Sequence, residues 1–285
     1  EQRGGVVVDH HRGLGAEQPG DAVRERFQAL AAPALREIEL ERVGAHVERR
    51  AEVDAPAAAV VLRGAGDPGA PVVYDVDHSR EGRSFCSRRV IAIQHGRPIF
   101  TLAASFQVPE DGLEHQFEMP DVPPPEAVQP MRELPEDDFG HMPQSVQRWL
   151  DRFGPFEFRA VRGVDPYQRA PQPPYKELWF KLHGEIAPDP HLGRALLAYV
   201  SDFHLVGTAT LPHGISWIPG NLMLASLDHA MWFHRDFSLD DWLLYTCDSP
   251  STQSGRGLAR GMIYDRQGRL VASTAQEGVV RLRDS

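Results

Sequence analysis

Among the residues able to do chemistry, the most suggestive local grouping is Asp202-Phe203-His204 within "HLGRALLAYVSDFHLVGTA". An Asp and a His can share acid–base work. At a separation of two on a helix, however, their side chains point away from one another. His229 and His234 flank "AMWF", and His10 and His11 are adjacent. Neither spacing suits a helical zinc pair, and no carboxylate or cysteine set completes a metal site. A Gly-x-Ser-x-Gly nucleophile elbow is absent, so a serine-hydrolase route has no support. No phosphate-cradling glycine loop stands out. Arg235, Arg256 and Arg260 are cations in the C-terminal region that could meet an anionic ligand; solvated arginines on a strand face are the plain alternative. Cys86 and Cys247 are the only cysteines. They provide no disulfide framework and point to a reducing compartment, with the cytoplasm as the simplest setting.

The elements that must position these groups follow from periodicity. Residues 82–107, "GRSFCSRRVIAIQHGRPIFTLAASFQ", alternate β-formers around a turn carrying Gly96 and predict a hairpin. Residues 72–76 predict a shorter strand before it. Prolines and acids in "MPDVPPPEAVQPMRELPEDD" cannot sustain a central strand or a helix interior, which predicts a linker over 119–142. A short helix is expected over 143–153. Strands follow at "FEFRAV" and "KELWFKLHG". Apolar residues at helical spacing (Leu196, Leu197, Val200, Phe203) predict one buried helix over 191–209. Further strands are expected at "NLMLASLDHAMWFH", "WLLYTCDS", "GLARGMIYD" and "LVASTAQEGVVRL". The apolar runs "MWF" and "WLLY" could wall an apolar ligand tunnel, though core packing is the ordinary role of such residues. The two Gly-Arg hairpins echo each other without a gap: Arg88 matches Arg260, Ile91 matches Ile263, Gly96 matches Gly268 and Arg97 matches Arg269. Such an echo suggests a duplicated unit.

Bulk properties bound the function. A chain of 285 residues accommodates two ordinary domains, and 41% hydrophobic with 25% charged residues supports a substantial core. The formal net charge of −10 argues against general nucleic-acid binding but leaves room for an anionic small molecule held by a few arginines. No apolar run approaches the roughly 18 residues of a membrane span.

The blocks "DGLEHQFEMPDVPPPE", "GRSFCSRRVIAIQHGRPIFTLAASFQ", "LDHAMWFHRDFSLDDWLLY" and "GRGLARGMIYDRQGRLVASTAQEGVVR" resemble the acyl-CoA thioesterase II family from about Leu62 onward. Residues 1–61 depart from that pattern. "VVLRGAGDPGAP" stands where a Leu-Arg-Pro-Gly turn is expected, and "DAVRERFQALAAPALREIELERV" upstream has helix-forming composition interrupted by Pro33. The resemblance implies an α+β double hotdog fold: two tandem units, each a curved antiparallel sheet wrapped around a central helix. The N-terminal unit would span 1–118, the linker 119–142 and the C-terminal unit 143–285. It implies hydrolysis of fatty acyl-CoA to free fatty acid and CoA, without metal or redox cofactor, by a chain that further self-associates as a homo-oligomer.

By motif, the resemblance places catalysis on Asp202 in "YVSDFHLV", Ser226 in "LASLDH" and Gln276 in "STAQEG". Asp202 would orient a water and accept its proton, with Ser226 and Gln276 holding that water. A backbone N–H would polarise the thioester carbonyl. Taken alone, an Asp within an apolar helix, a Ser before a strand and a Gln before Glu-Gly all have plain structural readings. Two alternatives accompany this one: a hotdog enoyl-CoA hydratase, and an acyl-CoA-binding protein without turnover.

Overall fold

The computed structural model describes residues 5–7, 54–63, 66–67, 69–130, 156–162, 170–184, 190–215 and 221–282. The helix expected over 143–153 and the helix-forming stretch around Pro33 lie outside the described residues. The chain divides into two compact units, one of Glu1–His115 with Leu227–Phe233, the other of Gln116–Ser226 with His234–Ser285.

In the first unit, β1 (Gly5–Val7), β2 (Asp54–Leu62), β3 (Val73–Glu81), β4 (Phe85–Gln94), β5 (Arg97–Gln107) and β9 (Asp228–Phe233) form an antiparallel sheet in the order β1-β3-β4-β5-β2-β9. The β4–β5 hairpin closes at His95-Gly96, where both residues have positive φ. Glycine at the second position relieves the strain there. Tyr74, Val90, Ala92, Ala104 and Phe106 form the buried cluster on this sheet. Arg88 is buried with them, its guanidinium held 2.7 Å from Glu81.

The second unit carries β6 (Phe156–Arg162), β7 (Tyr175–Leu182), α1 (Pro190–Ser201), β8 (Leu222–Ser226), β10 (Leu243–Gln253), β11 (Arg256–Tyr264) and β12 (Leu270–Leu282). Its strands are antiparallel in the order β6-β7-β10-β11-β12-β8. Helix α1 buries Leu192, Ala195, Leu196 and Val200, the recurring i, i+3, i+4 stripe of a core-facing helix. At its C-terminal end Tyr199 and Phe203 meet ring to ring at 4.8 Å, and Phe156, Phe158 and Phe180 close around them. The opposite sheet face is also covered. Met119, Val122 and Val128 lie on Trp179, Trp242, Leu244 and Tyr264. The strap formed by residues 116–130 is pinned by Trp179 Nε1 to the Pro123 carbonyl (2.9 Å) and Arg159 to that of Pro125 (2.8 Å). The start of the stretch expected to be a linker is thus laid across the second unit. "WLLY" supplies buried core residues Trp242, Leu243, Leu244 and Tyr245, whereas "MWF" splits into buried Met231 and exposed Trp232.

One expectation changes in detail. The single helix foreseen over 191–209 stops at Ser201; a turn follows, then a 3₁₀ helix over Val206–His213. Local chemistry explains the break. Thr208 and Thr210 turn their hydroxyls onto the carbonyls of His204 and Gly207, and Pro212 brings no N–H to a continuing α-helix. This 3₁₀ helix sits against the sheet only because Gly257 and Gly278 have no side chains. A Cβ at Gly257 would come within 2.5 Å of Ala209 Cβ, and one at Gly278 within 2.7 Å of Val206 Cγ1.

The echoing hairpins are matched in structure. The pairing that equates Gly96 with Gly268 joins two turn glycines of positive φ, 72° and 78°. It also equates Val90 with Met262 and Ala92 with Tyr264, and each residue belongs to an apolar cluster of its own unit.

Candidate active site

The break after α1 decides where Asp202 lies. As the first residue of the turn it is exposed, while His204 faces inward at 3% exposure with its ring edge-on to Phe158 at 5.0 Å. The two side chains part within this turn and do not form an Asp–His dyad. Burial, reinforced by the charge of Lys176, depresses the His204 imidazole to about 3, so it stays neutral near neutral pH.

Ser226 ends β8 and Gln276 lies in β12. Ser226 is directly opposite Gly278, so the side chains of Ser226 and Gln276 share one sheet face. That face looks toward the end of α1. There the three residues singled out in the sequence come together. Ser226 Oγ donates to Asp202 Oδ1 at 3.0 Å, and Gln276 Nε2 donates to the same oxygen at 2.5 Å. A carboxylate at a helix C-terminus faces the negative end of the helix dipole. Two donors on Oδ1 offset that disadvantage and fix the plane of the group. Oδ2 has no hydrogen-bond partner among the described residues. Gln276 is 1% exposed, and its Oε1 is a buried acceptor with no partner among them either. A native protein rarely leaves such an atom unpaired without reason.

The arginines are placed differently. Ala259 is paired with Gln276 across β11 and β12, so Arg256 and Arg260 point to the opposite face. Arg256 is bridged to Glu277 at 2.9 Å and Arg260 to Asp248 at 2.9 Å. Arg235 precedes β10 and donates to the Leu270 carbonyl at 2.9 Å. None of the three hydrogen bonds to Asp202, Ser226 or Gln276. His229 lies on β9, and His234 pairs with the Ser273 hydroxyl at 2.8 Å.

Sequence reasoning missed the buried polar groups beneath the turn. Tyr245, Thr274 and Lys176 sit in strands whose apolar neighbours make them look like core filler. The available signal was a hydroxyl or ammonium at an inward position of a period-two strand, since a buried polar atom needs a partner.

Two family models match the chain. Residues 29–107 match the acyl-CoA thioesterase N-terminal domain and residues 167–279 match acyl-CoA thioesterase. The first therefore begins within the stretch of 1–61 that departs from the expected motifs. The chain is 39% identical over 219 residues to acyl-CoA thioesterase 2 of Haemophilus influenzae, covering 77% of each chain. It is similar in structure to acyl-CoA thioesterase II TesB2 from Mycobacterium marinum, with TM-score 0.69 and 32% identity over 94% of this chain and 91% of that one. A protein of unknown function with hot dog fold from Alicyclobacillus acidocaldarius superposes with TM-score 0.67 at 18% identity, covering 90% and 88% of the two chains. The fold is the α+β hotdog architecture.

Proposed function

The chain belongs to the acyl-CoA thioesterase family, and from that premise we propose that it hydrolyses fatty acyl-CoA by water attack, with Asp202 as general base. The observation that carries this reading is the convergence of Ser226 and Gln276 on Oδ1 of Asp202. With Oδ1 occupied, Oδ2 is the oxygen that takes a proton. The buried Oε1 of Gln276 offers the acceptor for the second hydrogen of the same water. Held by both, the water directs a lone pair at the thioester carbonyl carbon. Its oxygen forms the new C–O bond as one proton passes to Oδ2. A tetrahedral oxyanion then collapses, the C–S bond breaks and the departing sulfur takes the proton back. No acyl-enzyme is needed.

The parted side chains of Asp202 and His204 weigh against the hydratase alternative, because among the described residues no His joins the base. A CoA phosphate reaching Arg256 or Arg260 would approach the other sheet face and compete with Glu277 and Asp248. Among the described residues no helix is long and apolar enough to cross a membrane. Cys86 and Cys247 as free thiols support a reducing, cytoplasmic setting. Exposed Met223 and Leu258, which share one sheet face, support self-association, which light scattering of the purified protein would measure.

Single-turnover hydrolysis in H₂¹⁸O tests the mechanism. The expected result is one ¹⁸O in the fatty acid after the first turnover and none in the protein. Label in Asp202 would show a covalent anhydride instead. Hydration of a crotonyl-CoA-type substrate without thiol release would overturn the hydrolytic reading.

A further inference from the structure

The turn that presents Asp202 begins where α1 runs out of its own hydrogen bonds. The last carbonyls of a helix have no intrahelical partner and must find one elsewhere. Here each is met. The Ala198 carbonyl takes the Ser201 hydroxyl at 2.9 Å, and the Val200 carbonyl takes the Phe203 N–H at 3.2 Å. The carbonyl of Ser201, the residue joined to Asp202, takes the phenol of Tyr245 at 2.9 Å. Beyond Asp202, the His204 carbonyl takes Lys176 Nζ at 3.3 Å and Thr208 Oγ1 at 3.1 Å. The Ser201–Asp202 peptide and, past the turn, the His204–Leu205 peptide are therefore tied to the sheet by the buried side chains of Tyr245 and Lys176.

Tyr245 links more than the helix end. Its hydroxyl, 1% exposed as a residue, also lies 2.9 Å from Thr274 Oγ1. A carbonyl only accepts, so the phenol hydrogen goes to Ser201 and the threonine hydrogen goes to the phenol oxygen. The result is a directed chain, Thr274 to Tyr245 to the Ser201 carbonyl. Thr274 shares the face of β12 that carries Gln276, and Ser201 precedes Asp202. The sheet makes room for this arrangement at Gly261, where a Cβ would stand 2.3 Å from the Tyr245 ring and 2.6 Å from Thr274 Oγ1. A phenol in the middle of an apolar core is costly unless both its functions are used, and here both are.

We propose that Tyr245 is a positioning residue for thioester hydrolysis: through Thr274 and the Ser201 carbonyl it sets the distance between the turn bearing Asp202 and the strand bearing Gln276. This inference rests on the reading of Asp202 as the base. Tyr245 touches neither the Asp202 carboxylate nor Gln276 by hydrogen bond, so its effect passes through backbone placement.

The test compares Tyr245→Phe, Thr274→Val, Thr274→Ser, the Phe/Val double variant and Asp202→Asn in the full chain. Each is assayed by thiol release from an acyl-CoA, with the folded fraction measured by circular dichroism. Tyr245→Phe and Thr274→Val should each lower kcat about 10- to 100-fold per folded molecule, the scale of a modest misplacement of a catalytic group, with KM within about twofold. Thr274→Ser, which keeps the hydroxyl, should stay near the parent. The double variant should be no slower than the worse single one, because one chain is cut in either case. Parental kcat in folded Tyr245→Phe and Thr274→Val, alongside an inactive Asp202→Asn, overturns the positioning role alone. The same holds if losses follow only the folded fraction or fall on KM. Full activity in Asp202→Asn removes the reading beneath it. Should Tyr245→Phe fail to fold, Thr274→Val against Thr274→Ser still decides.

Discussion

At the residue scale, the second unit keeps its proposed base and its buried titratable groups on different sides of one turn. Asp202 is outside, with two donors on one oxygen; His204 is inside, neutral, beside Lys176. Burial brings the Lys176 ammonium down to about 8, and its charge adds to the desolvation that lowers His204 to about 3. A pH dependence follows. Below the ordinary histidine value of 6.5 the unfolded chain takes up a proton that the folded one refuses until about 3. The stabilisation is therefore complete above 6.5 and is lost as pH falls through that window, at a slope approaching about 1.4 kcal/mol per pH unit. Urea midpoints between pH 7 and pH 5 should show a shallower decline for His204→Gln than for the parent. Parallel declines would remove His204 as the cause.

At the element scale, close approach depends on glycines that let the 3₁₀ helix touch β11 and β12. Gly278→Ala should destabilise the protein by about 1–3 kcal/mol, the usual cost of overpacking, because its Cβ would meet both Val206 methyls below 3 Å. Adding Val206→Ala should recover part of that loss in a thermodynamic cycle; strictly additive effects would contradict the contact. The same elements show what the sequence disclosed. The β4–β5 hairpin was legible from alternating β-formers and a turn glycine, both local signals. The end of α1 was harder to place, since its apolar stripe continues through Phe203 while threonine hydroxyls and Pro212 redirect the backbone. The outward direction of Arg256 and Arg260 was available from period-two alternation against Ala259 and Gly261. Asp202, Ser226 and Gln276 were identified through resemblance, since no local pattern joins a helix end to two strands. Tyr245 escaped notice because a phenol between Leu244 and Thr246 looks like packing until its two partners are known.

At the scale of the whole molecule, chain order and spatial grouping diverge where strand β9 leaves the second unit's sequence to join the first unit's sheet. Ala57 lies opposite Trp232 and Val61 opposite Asp228. A pairing between residues so distant in sequence leaves no local trace, so the break between Ser226 and Asp228 could not be read from "LASLDHAMWF". It matters for the site, because Ser226 is the last residue of β8 and must stop where the chain departs. The central claim is that Asp202, fixed by Ser226 and Gln276, takes the proton from the attacking water. The most direct test is acyl-CoA hydrolysis by full-length Asp202→Asn whose thermal unfolding and circular dichroism match the parent. Loss of the base should lower kcat by about 10²–10⁴-fold. Turnover within threefold of the parent would contradict the account.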